Sequence, residues 1–175
     1  MGSSILLSGL ALGLVVAAVT DVWNGRIPNW LTFSLAFFGI GVQSWEYGWD
    51  GFLFSLEGLA IGLACLMFFY VKGGMGAGDV KLLGAIGTIV GPGQVVFAFA
   101  FGAMLGGLYS LALLFNQGGL RHIWDRVFLL LSTLKITRTI PVSDDKISAE
   151  PKLRYALVLG LGTVVAQTLF YYGVL

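Results

Sequence analysis

Apolar residues occur in long runs along this chain, separated by short polar or glycine-rich connections. A membrane-spanning helix needs about 20 predominantly apolar residues, and about 17 are enough when its flanks adjust. The connections fall at 22–28, 47–50, 72–77 and 91–93, and a much longer one covers 116–153. The pattern therefore predicts an all-α polytopic membrane protein with six transmembrane helices, at about 4–21, 29–46, 51–71, 78–91, 93–115 and 154–174.

The fourth segment is the weakest of the predicted spans. Only residues 82–90 are strongly apolar before Gly91-Pro92-Gly93, a sequence that favours a turn. The segment crosses the bilayer completely only if its helix begins near Asp79 or earlier. A re-entrant segment is the alternative.

The positions of the basic residues predict an orientation, because Lys and Arg accumulate in cytoplasmic connections. With the N-terminus outside, all 10 Lys and Arg residues fall on the cytoplasmic side. Glu46, Asp50 and Glu57 then lie toward the opposite side. The same topology places Asp21 and Asp79 at the cytoplasmic ends of their spans, and therefore at the same depth.

The long connection at 116–153 is predicted to be cytoplasmic and to contain a helix at about 120–135. Its apolar positions follow helical spacing, and polar residues including Arg121 and His122 fill the opposite face. This pattern predicts an amphipathic helix lying along the membrane interface, with its basic residues near anionic lipid. The apolar positions are Leu120, Ile123, Trp124, Val127, Phe128, Leu131 and Leu134.

The composition supports a single membrane-embedded domain over 1–175. The chain is 57% hydrophobic and 11% charged, too little polar residue to cover a soluble domain of 175 residues. Cys65 is the single cysteine and cannot form an internal disulfide or a paired-cysteine zinc site. A basic patch interleaved with aromatic residues is absent, so no nucleic-acid partner is expected. The apolar start lacks a basic residue and a small-residue cleavage site, which favours a retained span over a signal peptide.

Asp21 and Asp79 are the candidate catalytic residues, because a carboxylate at the edge of the hydrocarbon is costly to keep. Two neighbouring carboxylates share one proton, so one can accept a proton from water while the other donates a hydrogen bond to the attacked carbonyl. Peptide hydrolysis by this route requires no metal and no cofactor. Which aspartate acts as the base stays open.

Glycines surround the second aspartate in the sequence Gly76-Ala77-Gly78-Asp79. Gly76 and Gly78 have no side chain to obstruct an extended peptide, which makes them candidate substrate-binding residues. Lys81 is a weaker candidate beside them. The alternative interpretation is a flexible loop in which Asp79 serves as a helix N-cap.

Two separated segments resemble the bacterial prepilin peptidases, also called type IV leader peptidases, which are membrane aspartic proteases of the Gly-x-Gly-Asp kind. One segment is Asp21 followed by Arg26-Ile27-Pro28-Asn29, and the other runs from Gly76 through Asp79 and Lys81 to Gly87. The resemblance implies that Asp21 and Asp79 are the catalytic pair. It also implies a prepilin substrate, cut between its short basic leader and its hydrophobic helix, at the cytoplasmic face of the bacterial inner membrane.

The chain resembles the short members associated with tight-adherence (Flp) pili. Larger members carry paired Cys-x-x-Cys motifs and also methylate the new N-terminus, so methyltransferase activity is not expected here. Archaeal preflagellin peptidases are the near alternative. A small proton-coupled transporter is an alternative of another class, but it predicts polar residues along a transmembrane path rather than two aspartates at one face.

Overall fold

A computed structural model of the chain describes residues 2–72, 75–116 and 155–173. These residues form helices joined by short connections, and no strand occurs among them. They fall in two compact units, Met1–Gly106 with Arg154–Leu175, and Gly107–Leu153. The second unit is described only over 107–116, and the predicted interfacial helix lies outside the described residues. The helices are α1 (Gly2–Asn24), α2 (Asn29–Val71), α3 (Ala77–Asn116) and α4 (Tyr155–Tyr171).

A glycine and a proline determine where α1 ends and α2 begins. Gly25 has a positive φ of 60° and donates its N–H to the Asp21 carbonyl at 3.0 Å, which terminates α1 one turn after Asp21. Pro28 is the N-cap of α2, with an extended backbone at φ −69° and ψ 138°. The predicted helix start at residue 29 is therefore confirmed.

Helix α2 is 43 residues long, but its backbone leaves the helical conformation at Gly48, with φ 61° and ψ −132°. Residues on both sides of Gly48 contact the same part of α3. A Cβ at Gly39 would overlap Thr88, and a Cβ at Gly58 would overlap the carbonyl of Gly87. In a straight helix Gly39 and Gly58 would lie about 28 Å apart, so α2 folds back on itself at Gly48.

Helix α3 is interrupted at Gly91, with φ 85° and ψ 176°, where the sequence predicted a turn. Pro92 has no N–H and cannot donate to the Thr88 carbonyl one turn earlier. Ser55 Oγ donates to that carbonyl at 2.9 Å, and the Gln43 side-chain amide donates to the Ile89 carbonyl at 3.1 Å. Both halves of α2 thus satisfy backbone groups beside the interruption in α3.

The first half of α3 lies at the centre of the first unit, since every residue from 82 to 90 is buried. Leu82, Leu83 and Ile86 are fully buried there. Gly58 and Gly87 each face the other's carbonyl, which allows the two backbones to approach closely, as in many membrane helix pairs.

Three described segments are long and apolar enough to cross a membrane: Ile5–Asn24, Asn29–Val71 and Ala77–Leu111. A shorter apolar helix, Tyr155–Tyr171, follows. The predicted all-α, apolar architecture is confirmed for the described residues. The interruptions at Gly48 and Gly91 fall within the connections predicted at 47–50 and 91–93. Six crossings and an outside N-terminus remain predictions.

Candidate active site

Asp21 lies in the last turn of α1, and its side chain is only 9% exposed. Its Oδ2 accepts a hydrogen bond from the backbone N–H of Ala156 at 3.3 Å. Ala156 is the second residue of α4, where backbone N–H groups have no acceptor within their own helix. The beginning of α4 therefore supplies a fixed donor to the Asp21 carboxylate.

Asp79 lies in the first turn of α3 and is half-buried. Its N–H donates to the Gly76 carbonyl at 3.2 Å. Because α3 begins at Ala77, Asp79 is inside the helix, and the alternative interpretation of Asp79 as the N-cap is wrong. The first turn of a helix favours a carboxylate, since its N–H groups carry partial positive charge.

The two motif glycines are in different environments. Gly78 packs against Ile27, and a Cβ there would lie 3.2 Å from the Ile27 Cβ. Gly76 is exposed, and a Cβ on it would lie 3.2 Å from Asp79 Oδ2. Ile27 lies close to Asp21 in the sequence, and Gly78 directly precedes Asp79. The contact between Ile27 and Gly78 therefore brings both aspartates to one end of the first unit.

Lys81 contacts the first turn of α2. Its Nζ donates to the Asn29 side-chain oxygen at 2.9 Å and lies 5.8 Å from the centre of the Phe33 ring. Sequence reasoning named Asn29 only as the last residue of the first segment that resembles the family, and it gave Ala156 no role. Both are long-range partners of the predicted site residues, and short motifs carry no signal for such contacts.

Two cavities in the first unit lie away from the aspartates. One of about 470 Å³ is lined by residues beside the Gly48 and Gly91 interruptions, among them Gln43, Asp50 and Gln94. The other, of about 560 Å³, lies between α1, α3 and α4 near Gln167. Neither Asp21 nor Asp79 lines either cavity, so neither cavity is the aspartate site.

The aspartate end combines two carboxylates with backbone donors and a nearby cation. Asp21 has a helix-start N–H as a partner, and Asp79 follows a turn whose exposed Gly76 leaves the main chain accessible. A pair of carboxylates in such a place can accept and donate protons to a substrate that reaches this end of the bundle.

Comparison with known proteins places these residues within a family. The Type IV leader peptidase family matches residues 8–111, which include both aspartates and Lys81. A prepilin leader peptidase/N-methyltransferase of Bacillus subtilis (strain 168) is 35% identical over 107 residues, covering 57% of this chain and 40% of that protein. Proteins of the same name in Burkholderia pseudomallei strains 1026b and K96243 are 31% identical over 120 residues, covering 60% of this chain and 37% of theirs.

No solved structure gave a significant match. The chain spans about two fifths of the length of the curated relatives it matches. The family match nevertheless covers more than half of the chain and contains both candidate segments. The chain therefore belongs to the type IV leader peptidase family.

Proposed function

We propose that this protein is an aspartic endopeptidase that removes the short basic leader of a prepilin at the cytoplasmic face of the inner membrane. The observation that carries the proposal is the family match over both aspartates, together with the Gly78–Ile27 contact that brings their segments to one end of the helices. Membership in this family favours peptidase activity over the transporter alternative. The proposed substrate is a prepilin of the Flp type.

In the proposed reaction, Asp21 and Asp79 share one proton. The ionised carboxylate takes a proton from a water molecule, and the oxygen of that water attacks the scissile carbonyl carbon. The protonated carboxyl donates a hydrogen bond to the carbonyl oxygen, which stabilises the negative charge that develops there. The C–N bond then breaks, and the leaving amine receives a proton from the pair.

The neighbouring residues have supporting roles in this proposal. Gly76 is exposed, so an extended peptide can approach the backbone beside Asp79 without meeting a side chain. Gly78 packs on Ile27, so the turn before Asp79 lies close to the connection between α1 and α2. Lys81 contributes a positive charge two residues after Asp79. The hydrophobic helix of the prepilin would lie in the bilayer against the apolar helices.

The decisive experiment is cleavage of a co-reconstituted Flp-type prepilin, with products identified by mass. We expect a single cut before the hydrophobic segment, reduced by about a thousandfold or more in both Asp21→Asn and Asp79→Asn. Asp50→Asn is the matched control, because Asp50 is an exposed carboxylate beside the Gly48 interruption. Cleavage that survives in both aspartate variants would rule out the aspartic mechanism.

A further inference from the structure

Lys81 has a specific partner at the candidate active site. Its Nζ donates to Asn29 Oδ1 at 2.9 Å, and the same ammonium lies 5.8 Å from the centre of the Phe33 ring. Asn29 and Phe33 are four residues apart in α2 and therefore lie on one face of that helix. The Lys81 side chain thus lies along the first turn of α2, two residues after Asp79.

A second contact joins the same segments. Gly78, directly before Asp79, packs against Ile27, which is 8% exposed. We call the contacts of Gly78 and Lys81 with Ile27, Asn29 and Phe33 the α2–α3 junction. In α3, the junction residue Gly78 directly precedes Asp79. In the other segment, Ile27 lies in the connection that begins at Gly25, whose N–H donates to the Asp21 carbonyl.

We propose that Lys81 is a positioning residue, whose hydrogen bond to Asn29 fixes the turn carrying Asp79 relative to the end of α1 carrying Asp21. The expected effect on catalysis rests on the proposed function. The expected position of the Asp79 turn relative to the end of α1 does not. Ile27 and Gly78 determine how closely the two segments approach, because the Ile27 side chain packs directly against the Gly78 backbone. The Lys81–Asn29 hydrogen bond is directional, and it therefore determines how far the start of α3 is displaced along the start of α2.

The proposal predicts an effect on the chemical step rather than on substrate binding. Reacting groups must be held within fractions of an ångström, so a turn that shifts slightly lowers kcat while KM changes little. Lys81→Met removes the donor and keeps the apolar stem, and Asn29→Leu removes the acceptor while keeping a side chain branched at Cγ. Each variant lowers kcat by about tenfold, with KM within about twofold of the original.

Non-additivity identifies the bond itself. The double variant Lys81→Met/Asn29→Leu has about the same kcat as either single variant, because both changes remove one interaction. Asn29→Asp keeps an acceptor in place and retains kcat within about twofold. Gln167→Leu is the matched control, since it breaks another side-chain bond between helices, Gln167 Nε2 to Gln94 Oε1 at 2.7 Å, and it leaves kcat unchanged.

A distance measurement tests the geometry without any substrate. Spin labels at Asn24→Cys and Ala77→Cys, both exposed positions, in a Cys65→Ser background report the separation of the end of α1 from the start of α3. The distance distribution broadens or shifts in Lys81→Met and in Asn29→Leu, and it stays unchanged in Gln167→Leu.

Three results overturn the proposal: an unchanged distance distribution in both junction variants, a KM increase confined to Lys81→Met, or kcat losses that add in the double variant. The second would make Lys81 a substrate-binding residue, and the third would show that Lys81 and Asn29 act independently of each other. If no variant, the unaltered protein included, cleaves a prepilin while the distances respond as described, the proposed function fails and the positioning role stands.

Discussion

The Asp21 carboxylate accepts a hydrogen bond from a backbone donor, the Ala156 N–H. This has a practical consequence, because ordinary side-chain truncation at residue 156 cannot remove the bond. Only a residue without an N–H can do so. Proline is compatible with the first turn of a helix, where the N–H has no acceptor within the helix.

Ala156→Pro should therefore lower the rate of prepilin cleavage while α4 still forms. We expect kcat to fall by about tenfold, because the Asp21 carboxylate loses the donor that orients it. Steady-state cleavage of a reconstituted prepilin gives kcat and KM, and helix content by circular dichroism checks the fold.

Ala156→Gly is the matched control for this substitution, since it changes the packing of the fully buried Ala156 by removing its methyl group but keeps the N–H. It should retain kcat within about twofold if the donor is what matters. Equal losses in the glycine and proline variants would show that packing, and not the hydrogen bond, explains the effect.

At the scale of the helices, the interruption of α3 depends on support from α2. Pro92 leaves the Thr88 carbonyl without its helical donor, and Ser55, which is 0% exposed, donates to it instead. A buried carbonyl in an apolar environment is costly to leave unpaired. The Ser55 hydroxyl is thus part of what makes a proline acceptable in the middle of this helix.

Ser55→Ala should destabilise the protein by about 1 kcal/mol, the typical size of a hydrogen bond between membrane helices. Reversible unfolding by sodium dodecyl sulfate in mixed micelles measures the change. Ser8→Ala is the matched control, because the exposed Ser8 hydroxyl bonds only the Ile5 carbonyl of its own helix, and it should be close to neutral. A Ser55→Ala protein as stable as Ser8→Ala would show that Thr88 has no need of this donor.

Sequence reasoning located the helices and their interruptions well, because those features have local causes. Gly91 before Pro92 breaks α3 where the turn was predicted, and Gly25 with Pro28 separates α1 from α2 as the connection at 22–28 required. The partners of the site residues were not predictable in this way. Ala156 is 135 residues from Asp21 in the chain, and Asn29 is 52 residues from Lys81. Such pairs depend on tertiary packing, which no local pattern reveals.

On the scale of the whole molecule, charge is distributed unevenly between the two ends of the first unit. Arg26 and Lys81 belong to the aspartate end, next to Ile27 and Asn29. Glu46 and Asp50 line the cavity beside the Gly48 interruption. No Lys or Arg occurs between Arg26 and Lys72 in the sequence. This separation is what the predicted orientation requires, with the basic end on the cytoplasmic side.

Cysteine accessibility in intact cells tests that orientation. In a Cys65→Ser background, Glu46→Cys should react with a membrane-impermeant maleimide from outside, whereas Asn24→Cys should react only in inverted membrane vesicles, because the two exposed positions lie on opposite sides of the predicted topology. Val15→Cys, on an exposed face within α1, is the control that hydrocarbon should protect in both preparations. The reverse labelling pattern would place the aspartates on the outer side of the membrane. The basic leader of a prepilin lies on the cytoplasmic side before export, so the proposed cytoplasmic processing would then be wrong.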